Sequence, residues 1–330
     1  MGFDGIIGQD RIRNSLLESM KNGRVGHAYI FTGPVGIGKR TLARRFAETL
    51  LCPEFDGKAN CGSCVPCRLF SSGTNPDFSE LVCEGASIGV DEIRKLQREI
   101  SIKPLYSSKK LFLIPDAERM TVQAQNCLLK TLEEPPAHSV IILTASNIDS
   151  LLDTVRSRVI RYSFMKNTFD EVCRALELNT AESPERIKLI ASYADGIISR
   201  ALELANSEEF TRLREMAVET VLKIRGGSTS EIFDISRLYN ENRDQIEILL
   251  DIMASLYRDM LIVRSTADEN KLINTDKKDI IFNNAYRYST QELIKSMDVI
   301  ETTRKNLKQN ANYQLSIELM FMRLEEYSDG

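Results

Sequence analysis

The chain has 330 residues, with 43 Lys and Arg against 47 Asp and Glu and a formal net charge of -4. This length exceeds what one hydrophobic core usually organises, so it predicts two or three domains, and the charge excludes a protein that coats nucleic acid by overall positive potential. No apolar run reaches the roughly 18 residues of a membrane-spanning helix, and the opening MGFDGIIGQD lacks the basic and apolar regions of a signal peptide, so we expect a cytoplasmic protein without membrane contact.

The charge is unevenly distributed near the start of the chain. Residues 1–50 contain eight basic and four acidic residues. Such an excess is compatible with solvated helix faces or with a surface that faces phosphate groups. A local contact with phosphates is therefore open, although the whole chain is slightly acidic.

Three short apolar runs, rich in β-branched and aromatic residues, interrupt an otherwise helical pattern. We predict that they form buried strands: HAYIFTG (27–33), KKLFLIPD (109–116) and SVIILTAS (139–146). Strands that alternate with helices are typical of a parallel sheet covered by helices. The first part of the chain is therefore predicted to be an α/β domain.

The rest of the chain has a helical pattern. After about residue 166 no comparable strand follows, and the clearest breaks are at 226–230 and 266–270. The last helix carries apolar side chains between Leu315 and Leu324 over more than one face, which indicates either a core helix or packing against sister subunits. We predict three domains: an α/β domain over 1–165, a small helical unit over 166–208 and an all-α domain over 209–330.

The first predicted strand continues into GPVGIGKRT, a glycine-rich loop that precedes a predicted helix. Gly33, Gly38 and Lys39 have the spacing of the G-x-x-x-x-G-K phosphate loop, and Gly36 lies between them. In such a loop the backbone amides and the helix N-terminus form an anion site. The sequence therefore predicts a phosphate-binding loop.

The first position of the following helix departs from this motif. The full motif ends in Lys followed by Ser or Thr, because that hydroxyl ligates Mg²⁺, but here the position is Arg40. A guanidinium has no acceptor and repels the cation. Thr41 offers a hydroxyl one residue later, about 100° further round the helix. Phosphate binding is compatible with this change, whereas Mg²⁺ positioning is impaired.

A second departure follows the strand LFLI, where a P-loop ATPase carries acids. If Pro115 takes the position of the metal ligand, Asp116 stands where the acid that orients water would be. If Asp116 is the metal ligand, Ala117 takes the second position and Glu118 is one residue too far. Either register loses one acid. Nucleotide binding through the loop, Lys39, Thr41 and Asp116 stays open, and so does Mg²⁺ binding.

Four cysteines lie close together in the sequence. Cys61, Cys64 and Cys67 have C-x₂-C-x₂-C spacing, and Cys52 precedes them in a loop rich in Gly and Asn. Four thiolates are a usual ligand set for a structural, tetrahedral Zn²⁺. An iron–sulfur cluster and free thiols are the alternatives, but a cluster normally has its fourth cysteine at other spacings. The pattern favours structural zinc in a module at about 52–67.

At this point the sequence resembles the AAA+ clamp-loader subunits of bacterial DNA polymerase III. The resemblance rests on IIGQDRIRNSLLESMKNGRVGHAYIFTGPVGIGKRTLA at the start, DAERMTVQAQNCLLKTLEEPPAHSVIILTAS (116–146), GIISRALEL (196–204) and NYQLSIELMFMRL (312–324). It implies a RecA-like (AAA+) P-loop domain, a small helical lid and an all-α collar that joins five subunits into an open ring. It also implies a zinc module and, as partners, gamma/tau and delta subunits, the sliding clamp and primer-template DNA.

The family contains gamma/tau subunits that hydrolyse ATP and delta-prime subunits whose ATP site is typically degenerate. Arg40 and Pro115 match the delta-prime type. The alternative is an active ATPase of the gamma/tau type with unusual metal ligands. A DNA-binding factor that acts alone is a further alternative, but no recognition motif or aromatic-rich basic stripe supports it.

The resemblance also assigns roles to two arginines. Arg158, in the string Ser157-Arg158-Val159 where the ring partners usually have Ser-Arg-Cys, would be an arginine finger that acts on the ATP of the adjacent subunit. Its alternative role is a charge at a helix C-terminus. Arg200 would sense nucleotide from the lid, or would be a surface charge at the start of a helix.

Overall fold

The computed structural model describes residues 3, 5–83, 85–266 and 268–326. The chain divides into two compact units, one formed by Met1–Ala175 with Gly196–Arg200 and the other by Leu176–Asp195 with Ala201–Gly330. The predicted three-domain boundaries at 165 and 208 stay a prediction. None of the helices within the described ranges combines the length and apolar composition that crossing a bilayer requires.

The first unit contains a five-stranded parallel sheet. Its strands, in chain order, are β1 (Ala28–Thr32), β2 (Phe78–Glu80), β3 (Lys110–Ile114), β4 (Ser139–Ala145) and β5 (Ile160–Ser163). Their spatial order is β2-β3-β4-β1-β5. The three strands predicted from sequence are the three buried ones at the centre, which confirms the α/β prediction. The sequence pattern did not reveal β2 and β5, because both are short edge strands whose side chains are partly exposed.

The sheet has apolar side chains on both faces, as expected for a parallel sheet covered by helices. Ile30 and Phe112 belong to the core on one face, whereas Tyr29, Phe31 and Leu113 belong to the core on the other. The parallel register places the carboxyl ends of β1, β3 and β4 at one edge of the sheet. The candidate phosphate loop and the candidate acids follow these strand ends.

The helices up to residue 179 precede, connect or follow these strands. They are α1 (Asp10–Lys21), α2 (Lys39–Leu50), α3 (Val65–Ser71), α4 (Val90–Ile100), α5 (Val122–Glu133), α6 (Asp153–Arg156) and α7 (Phe169–Asn179). Short 3₁₀ turns at Ala117–Arg119 and Ile148–Ser150 follow β3 and β4.

The remainder of the described chain is helical, as predicted. The helices are α8 (Pro184–Tyr193), α9 (Ile198–Ala205), α10 (Glu208–Ile224), α11 (Thr229–Glu241), α12 (Ile246–Thr266), α13 (Lys278–Ala285), α14 (Thr290–Lys308) and α15 (Tyr313–Glu326). The two predicted breaks coincide with the α10–α11 connection and the end of α12. Ser228 with Glu231 and Ser289 with Glu292 form capping boxes that fix the starts of α11 and α14. The prediction of an all-α C-terminal part is confirmed.

Helix α12 is the central helix of the second unit and packs against α10, α13 and α14. Helix α15 packs against α11 and α14, and its buried side chains include Phe321, whose ring meets Tyr239 edge-on at 4.8 Å. Leu315, Leu319 and Met322 of α15 remain exposed. The broad apolar surface predicted for the last helix is therefore covered within this chain on one face only.

Candidate functional site

The predicted phosphate loop lies between β1 and α2. Gly33, Gly36 and Gly38 have φ values of 147°, 78° and 98°, a backbone region that side-chain-bearing residues rarely adopt. A Cβ atom at Gly36 would also lie 2.1 Å from Ser199 Oγ and 3.0 Å from a methyl group of Ile197, so a larger residue would require these side chains to move. The glycines of the motif therefore permit a tight loop that leads directly into the N-terminus of α2.

Lys39 is buried and folds back onto this loop. Its Nζ donates hydrogen bonds to the carbonyl oxygens of Gly33 at 2.7 Å and Pro34 at 2.9 Å. Burial lowers the pKa of Lys39, and the nearby charges of Glu118 and Asp116 oppose that shift. The lysine that would reach a phosphate is present at the loop, in contact with the loop's own backbone.

Arg40 points away from the loop and towards an acid on β2. Its Nε donates to Glu80 Oε1, and Arg44 Nε donates to the other oxygen of the same carboxylate at 2.7 Å. The Glu80 side chain is only 7% exposed, so the carboxylate lies beneath the two guanidinium groups. Because of this pairing, the helix position that supplies a metal-ligating hydroxyl in an active P-loop ATPase instead carries an anchored cation.

Thr41 is exposed on α2, on a surface that it shares with Arg44 and Arg45. A role for Thr41 in nucleotide binding stays a prediction.

Two acidic residues follow β3, of which Asp116 is exposed and Glu118 is partly buried. Asp116 is exposed, has a left-handed backbone with φ 48°, and its N–H donates to Thr144 Oγ1 at 3.2 Å. The following 3₁₀ turn brings Glu118 back, where its Oε1 accepts hydrogen bonds from the backbone N–H of Ser146 at 2.9 Å and from the Ser146 hydroxyl. The turn therefore connects the end of β3 to the end of β4.

Glu118, which the sequence argument placed one residue too far along the chain, also lies near Lys39. Its Oε2 is buried without a hydrogen-bond partner, and its charge affects the pKa of Lys39 more than the charge of Asp116 does. If the chain continued in an extended conformation after β3, Glu118 would lie one residue beyond the strand end. The left-handed backbone of Asp116 instead turns the chain, and this turn brings Glu118 back to the end of β4. The only sequence signal for that turn is the Pro-Asp pair, because Asp adopts left-handed backbone more readily than most residues.

The four predicted metal-binding cysteines come together in the segment from the end of α2 to the first turn of α3. The sulfur atoms of Cys52, Cys61, Cys64 and Cys67 all lie within 4.8 Å of one another. The recorded sulfur separations are 3.7 Å for Cys52–Cys61, 3.9 Å for Cys52–Cys64 and 4.0 Å for Cys61–Cys67. A metal with four ligands at about 2.3 Å in a tetrahedron has sulfur atoms about 3.8 Å apart. The cluster could therefore hold a metal ion.

Backbone N–H groups point at two sulfur atoms of the cluster, whereas burial raises the pKa of the Cys52 and Cys64 thiols. The Cys61 N–H points to Cys52 Sγ at 3.4 Å, and the Cys64 N–H points to Cys61 Sγ at 3.3 Å. Backbone N–H groups of Cys64 and Ser63 lower the pKa of the Cys61 thiol to about 7. Asn60 bridges the cluster to α2, since its Nδ2 lies 3.7 Å from Cys67 Sγ and 3.1 Å from Glu48 Oε1.

Arg158 lies two residues after the end of α6, in the segment that connects β4 to β5. Its Nη1 donates to the Thr154 carbonyl at 2.9 Å, and its Nη2 lies 2.8 Å from Glu133 Oε1 at the end of α5. Its side chain is 35% exposed. Nearby Arg156 pairs instead with Asp149 and Asp153. Both arginines of this segment are therefore partly exposed, and they differ in their acidic partners, which for Arg158 is Glu133 of α5.

Arg200 lies in the first turn of α9 and is partly buried. The segment Gly196–Arg200 belongs to the first compact unit, and its Ser199 packs against Gly36 of the phosphate loop. The structure thus brings the start of α9 to the loop, whereas the role of Arg200 as a nucleotide sensor stays a prediction.

The comparisons with known proteins agree with this architecture. A family model described as DNA polymerase III, delta subunit, matches residues 8–168, and its C-terminal counterpart matches residues 208–326. The chain is 31% identical over 324 residues to the DNA polymerase III subunit delta-prime of Bacillus subtilis, and the match covers 96% of each protein. The chain belongs to the DNA polymerase III delta-prime subunit family.

This delta-prime family membership confirms the assignment made from the sequence motifs. The chain is also similar to the DNA polymerase III subunit tau of Bacillus subtilis, with 25% identity over 98% of this chain and 61% of that protein. A solved DNA polymerase III gamma subunit-related protein from Thermotoga maritima has 18% identity and a TM-score of 0.43, over 96% of this chain and 99% of that one. The delta-prime match has the higher identity and covers both proteins almost fully.

Proposed function

We propose that this delta-prime family member is a ring subunit of a clamp loader that hydrolyses little or no ATP itself and acts on the ATP of a neighbouring subunit through Arg158. The observation that carries the first half is the ion pair between Arg40 and Glu80 at the start of α2. Mg²⁺ requires oxygen ligands, and an anchored guanidinium supplies none and repels the metal.

The acids after β3 do not replace the missing ligand. Pro115 occupies the strand end, where an active ATPase carries an acid, and the charges of Glu118 and Asp116 act on Lys39 and oppose the fall of its pKa. Phosphates would still meet the loop amides and Lys39, with Arg200 as a candidate contact from α9. We therefore expect nucleotide to bind without efficient hydrolysis.

The second half of the proposal concerns charge that develops on a phosphoryl group. An arginine that reaches this charge from a neighbouring subunit stabilises the transition state, and such groups contribute about 10³ to 10⁵ in rate in related NTPases. Arg158 fits this role, because it is partly exposed and because Glu133 and Thr154 fix its guanidinium from inside the chain. A subunit that hydrolyses little ATP itself would then support ATP hydrolysis by the adjacent subunit.

The proposed setting is a cytoplasmic ring with gamma/tau and delta subunits that places the sliding clamp on primer-template DNA. The helical second unit is the proposed collar. Its exposed Leu315, Leu319 and Met322 on α15 offer apolar surface for a neighbouring subunit.

We also propose that the cysteine cluster holds one structural Zn²⁺. Four sulfur ligands close the coordination sphere, so the ion would stabilise the segment between α2 and α3 and would have no open position for catalysis. Iron in a cluster and free thiols are the alternative outcomes.

The alternative function, an active ATPase of the gamma/tau type, is favoured by one observation. Glu118 has a buried carboxylate oxygen without a hydrogen-bond partner, and its charge acts on Lys39. Such an oxygen could orient water or ligate a metal. The two functions differ in the isolated protein, because only the alternative predicts turnover of about 1 per second or more that disappears in Lys39→Ala.

The deciding experiment assembles the clamp loader with Arg158→Ala, Arg158→Lys or Arg156→Ala in this chain. We expect the alanine variant to lower clamp- and DNA-stimulated ATP hydrolysis strongly, and lysine to rescue poorly because it keeps the charge without the planar fork. Arg156→Ala is the matched control, since Arg156 is already paired with two acids of its own segment. Gel filtration verifies assembly, and an intact Arg158→Ala ring with the rate of the unmodified ring would refute the role.

A further inference from the structure

Three polar side chains connect the cysteine cluster to helix α2. From the sulfur of Cys67 the contacts run through Asn60 and Glu48 to Arg45. Cys67, Asn60 and Glu48 are 1%, 3% and 4% exposed, whereas the Arg45 side chain is 43% exposed. We call Asn60, Glu48 and Arg45 the polar bridge. Because buried polar groups need hydrogen-bond partners, each buried member of the bridge depends on its neighbours.

Asn60 occupies the middle of the polar bridge and donates in two directions. Its Nδ2 lies 3.1 Å from Glu48 Oε1 and 3.7 Å from Cys67 Sγ. An amide nitrogen carries two hydrogens, which is enough for both acceptors. The amide oxygen could not take this place, because a carboxylate and a thiolate have no hydrogen to donate. The nitrogen of Asn60 therefore faces the sulfur.

The donor to Cys67 differs in kind from the donors to two other sulfurs of the cluster. Cys52 Sγ accepts from the backbone N–H of Cys61 at 3.4 Å, and Cys61 Sγ accepts from the backbone N–H of Cys64 at 3.3 Å. Those donors do not depend on a side chain, whereas the donor to Cys67 is the side chain of Asn60. A substitution can therefore remove this hydrogen bond and leave all four sulfur ligands in place.

Glu48 orients Asn60 from the last turn of α2. Its Oε1 accepts from Asn60, and its Oε2 accepts from Arg45 Nη1 at 2.8 Å, so both carboxylate oxygens have partners. A buried carboxylate beside thiolates is costly unless it is paired. Because Arg45 balances the charge of Glu48, the main effect of Glu48 on the cluster is its directed hydrogen bond with Asn60.

We propose that Asn60 is a positioning residue of the metal site, which donates to the sulfur ligand Cys67 and is itself oriented by Glu48 and Arg45. Groups that hold a metal ligand in this way typically contribute about 10- to 100-fold to metal affinity. The bridge also ties the metal site to α2, the helix that begins at Lys39 of the phosphate loop. The inference rests on the proposed zinc site and extends it beyond the four cysteines.

The test measures the zinc affinity of the purified full-length chain by competition with a chromophoric chelator under reducing conditions. Asn60→Ala removes the donor to Cys67. Glu48→Met has a side chain of similar length without the carboxylate acceptors. The double variant Asn60→Ala/Glu48→Met shows whether the two residues act together, because residues that act through one another have effects that do not add.

The chain offers a matched control in its second unit. Asn274 is fully buried, and its Nδ2 donates to Ser255 Oγ at 3.1 Å and to Asp259 Oδ2 at 3.0 Å. Asn274→Ala therefore removes a buried amide that also donates to a carboxylate and to a second acceptor. Circular dichroism verifies folding of each variant.

We expect Asn60→Ala to weaken zinc binding about 10- to 100-fold and Glu48→Met to weaken it by about tenfold. The double variant should lose about as much as Asn60→Ala alone, and Asn274→Ala should bind zinc like the unmodified chain.

Cobalt(II) in place of zinc supplies a spectroscopic readout. A hydrogen bond to a thiolate lowers the energy of the sulfur lone pairs, so its loss in Asn60→Ala should move the sulfur-to-cobalt charge-transfer band to longer wavelength. The ligand-field bands of four-coordinate cobalt should remain, because the four sulfur ligands remain. A residue that only filled space would leave the charge-transfer band in place.

Several results would overturn the inference. These are an unchanged zinc affinity in folded Asn60→Ala, additive losses in the double variant, or an equal loss in Asn274→Ala. Tighter zinc binding by Glu48→Met would show that the carboxylate acts by repulsion and does not orient Asn60. If Asn60→Ala does not fold, Glu48→Met decides, and its unchanged affinity would also refute the bridge. An unmodified chain that binds neither zinc nor cobalt would instead refute the proposed metal site itself.

Discussion

Arg158 Nη2 lies 2.8 Å from Glu133 Oε1, so an arginine after α6 is tied to the last residue of α5. The two side chains are 35% and 49% exposed, and an ion pair this exposed contributes about 0–1 kcal/mol to stability. This ion pair therefore affects the orientation of the Arg158 guanidinium group more than the stability of the fold.

This pair gives the first prediction. Glu133→Gln should leave the unfolding midpoint nearly unchanged but lower ATP hydrolysis by the assembled ring on the order of tenfold, because misplacing a catalytic group has a cost even when the group remains. The loss should be smaller than that of Arg158→Ala, since the Thr154 carbonyl still holds the arginine. Glu134→Gln, at the neighbouring position, is the control. Hydrolysis equal to that of the unmodified ring would show that Glu133 does not position Arg158.

A second prediction concerns the metal dependence of nucleotide binding. With Arg40 anchored on Glu80 and Pro115 at the strand end, Mg²⁺ has few oxygen ligands at the loop, so calorimetric titration should give similar ATP affinity in Mg²⁺ and in EDTA. Lys39→Ala should abolish binding, and Lys223→Ala, on helix α10 of the second unit, should not change it. An affinity that rises tenfold or more on adding Mg²⁺ would contradict the degenerate site.

The third prediction is that the purified chain carries one zinc ion. Cys64→Ser should lose it and lower the thermal unfolding midpoint, because metal binding and folding of such a loop are coupled. Cys83→Ser is the matched control, since Cys83 lies outside the cluster and its thiol donates to the carbonyls of Gly85 and Ser87, which a hydroxyl can also do. Elemental analysis that finds iron, or no metal in protein prepared without chelator, would exclude zinc.

The fourth prediction is a pH dependence in the second unit. Burial raises the pKa of Asp276, but the hydrogen bonds and charge of Arg214, at 2.8 Å and 3.0 Å, outweigh it and hold the pKa below its ordinary value. Such a carboxylate stabilises the fold fully above its unfolded pKa near 3.9 and loses that contribution as pH falls through the lowered folded pKa. Asp276→Asn should therefore destabilise the protein at pH 7, on the order of 1 kcal/mol after solvent screening.

The difference between the unmodified protein and Asp276→Asn should shrink as the pH falls below about 4. Urea unfolding at a series of pH values measures it, with Asp298→Asn as an exposed control. A difference that stays constant to the lowest pH at which the native state persists would mean that the Arg214 pair does not contribute through its charge.

The sequence predicted the central strands and the helical second unit because those elements have strong local patterns. It missed β5, whose residues Ile160–Ser163 form an exposed edge, and β2, which has only three residues. These strands exist because β1 and β3 offer them backbone partners, and no local pattern records that.

The candidate site likewise has features that a local sequence pattern shows and features that depend on residues from different elements. The glycine loop and the cysteine spacing are local in sequence and could be read directly. The pairing of Arg40 with Glu80 joins residues on different elements, and the approach of Glu118 to Ser146 depends on one left-handed residue. Sequence reasoning identified the defective metal position but could not say where the arginine points.

The sheet order also has a consequence for the order of folding during synthesis. Strand β1 ends at Thr32, but its neighbours β4 and β5 begin only at Ser139 and Ile160, so β1 leaves the ribosome long before it has a partner. The cysteine loop, in contrast, closes between Cys52 and Cys67 and needs no later strand. Because contacts close in sequence form first, we expect a metal-bound loop and α2 to order early and to shield one face of the nascent β1 until the rest of the sheet is made.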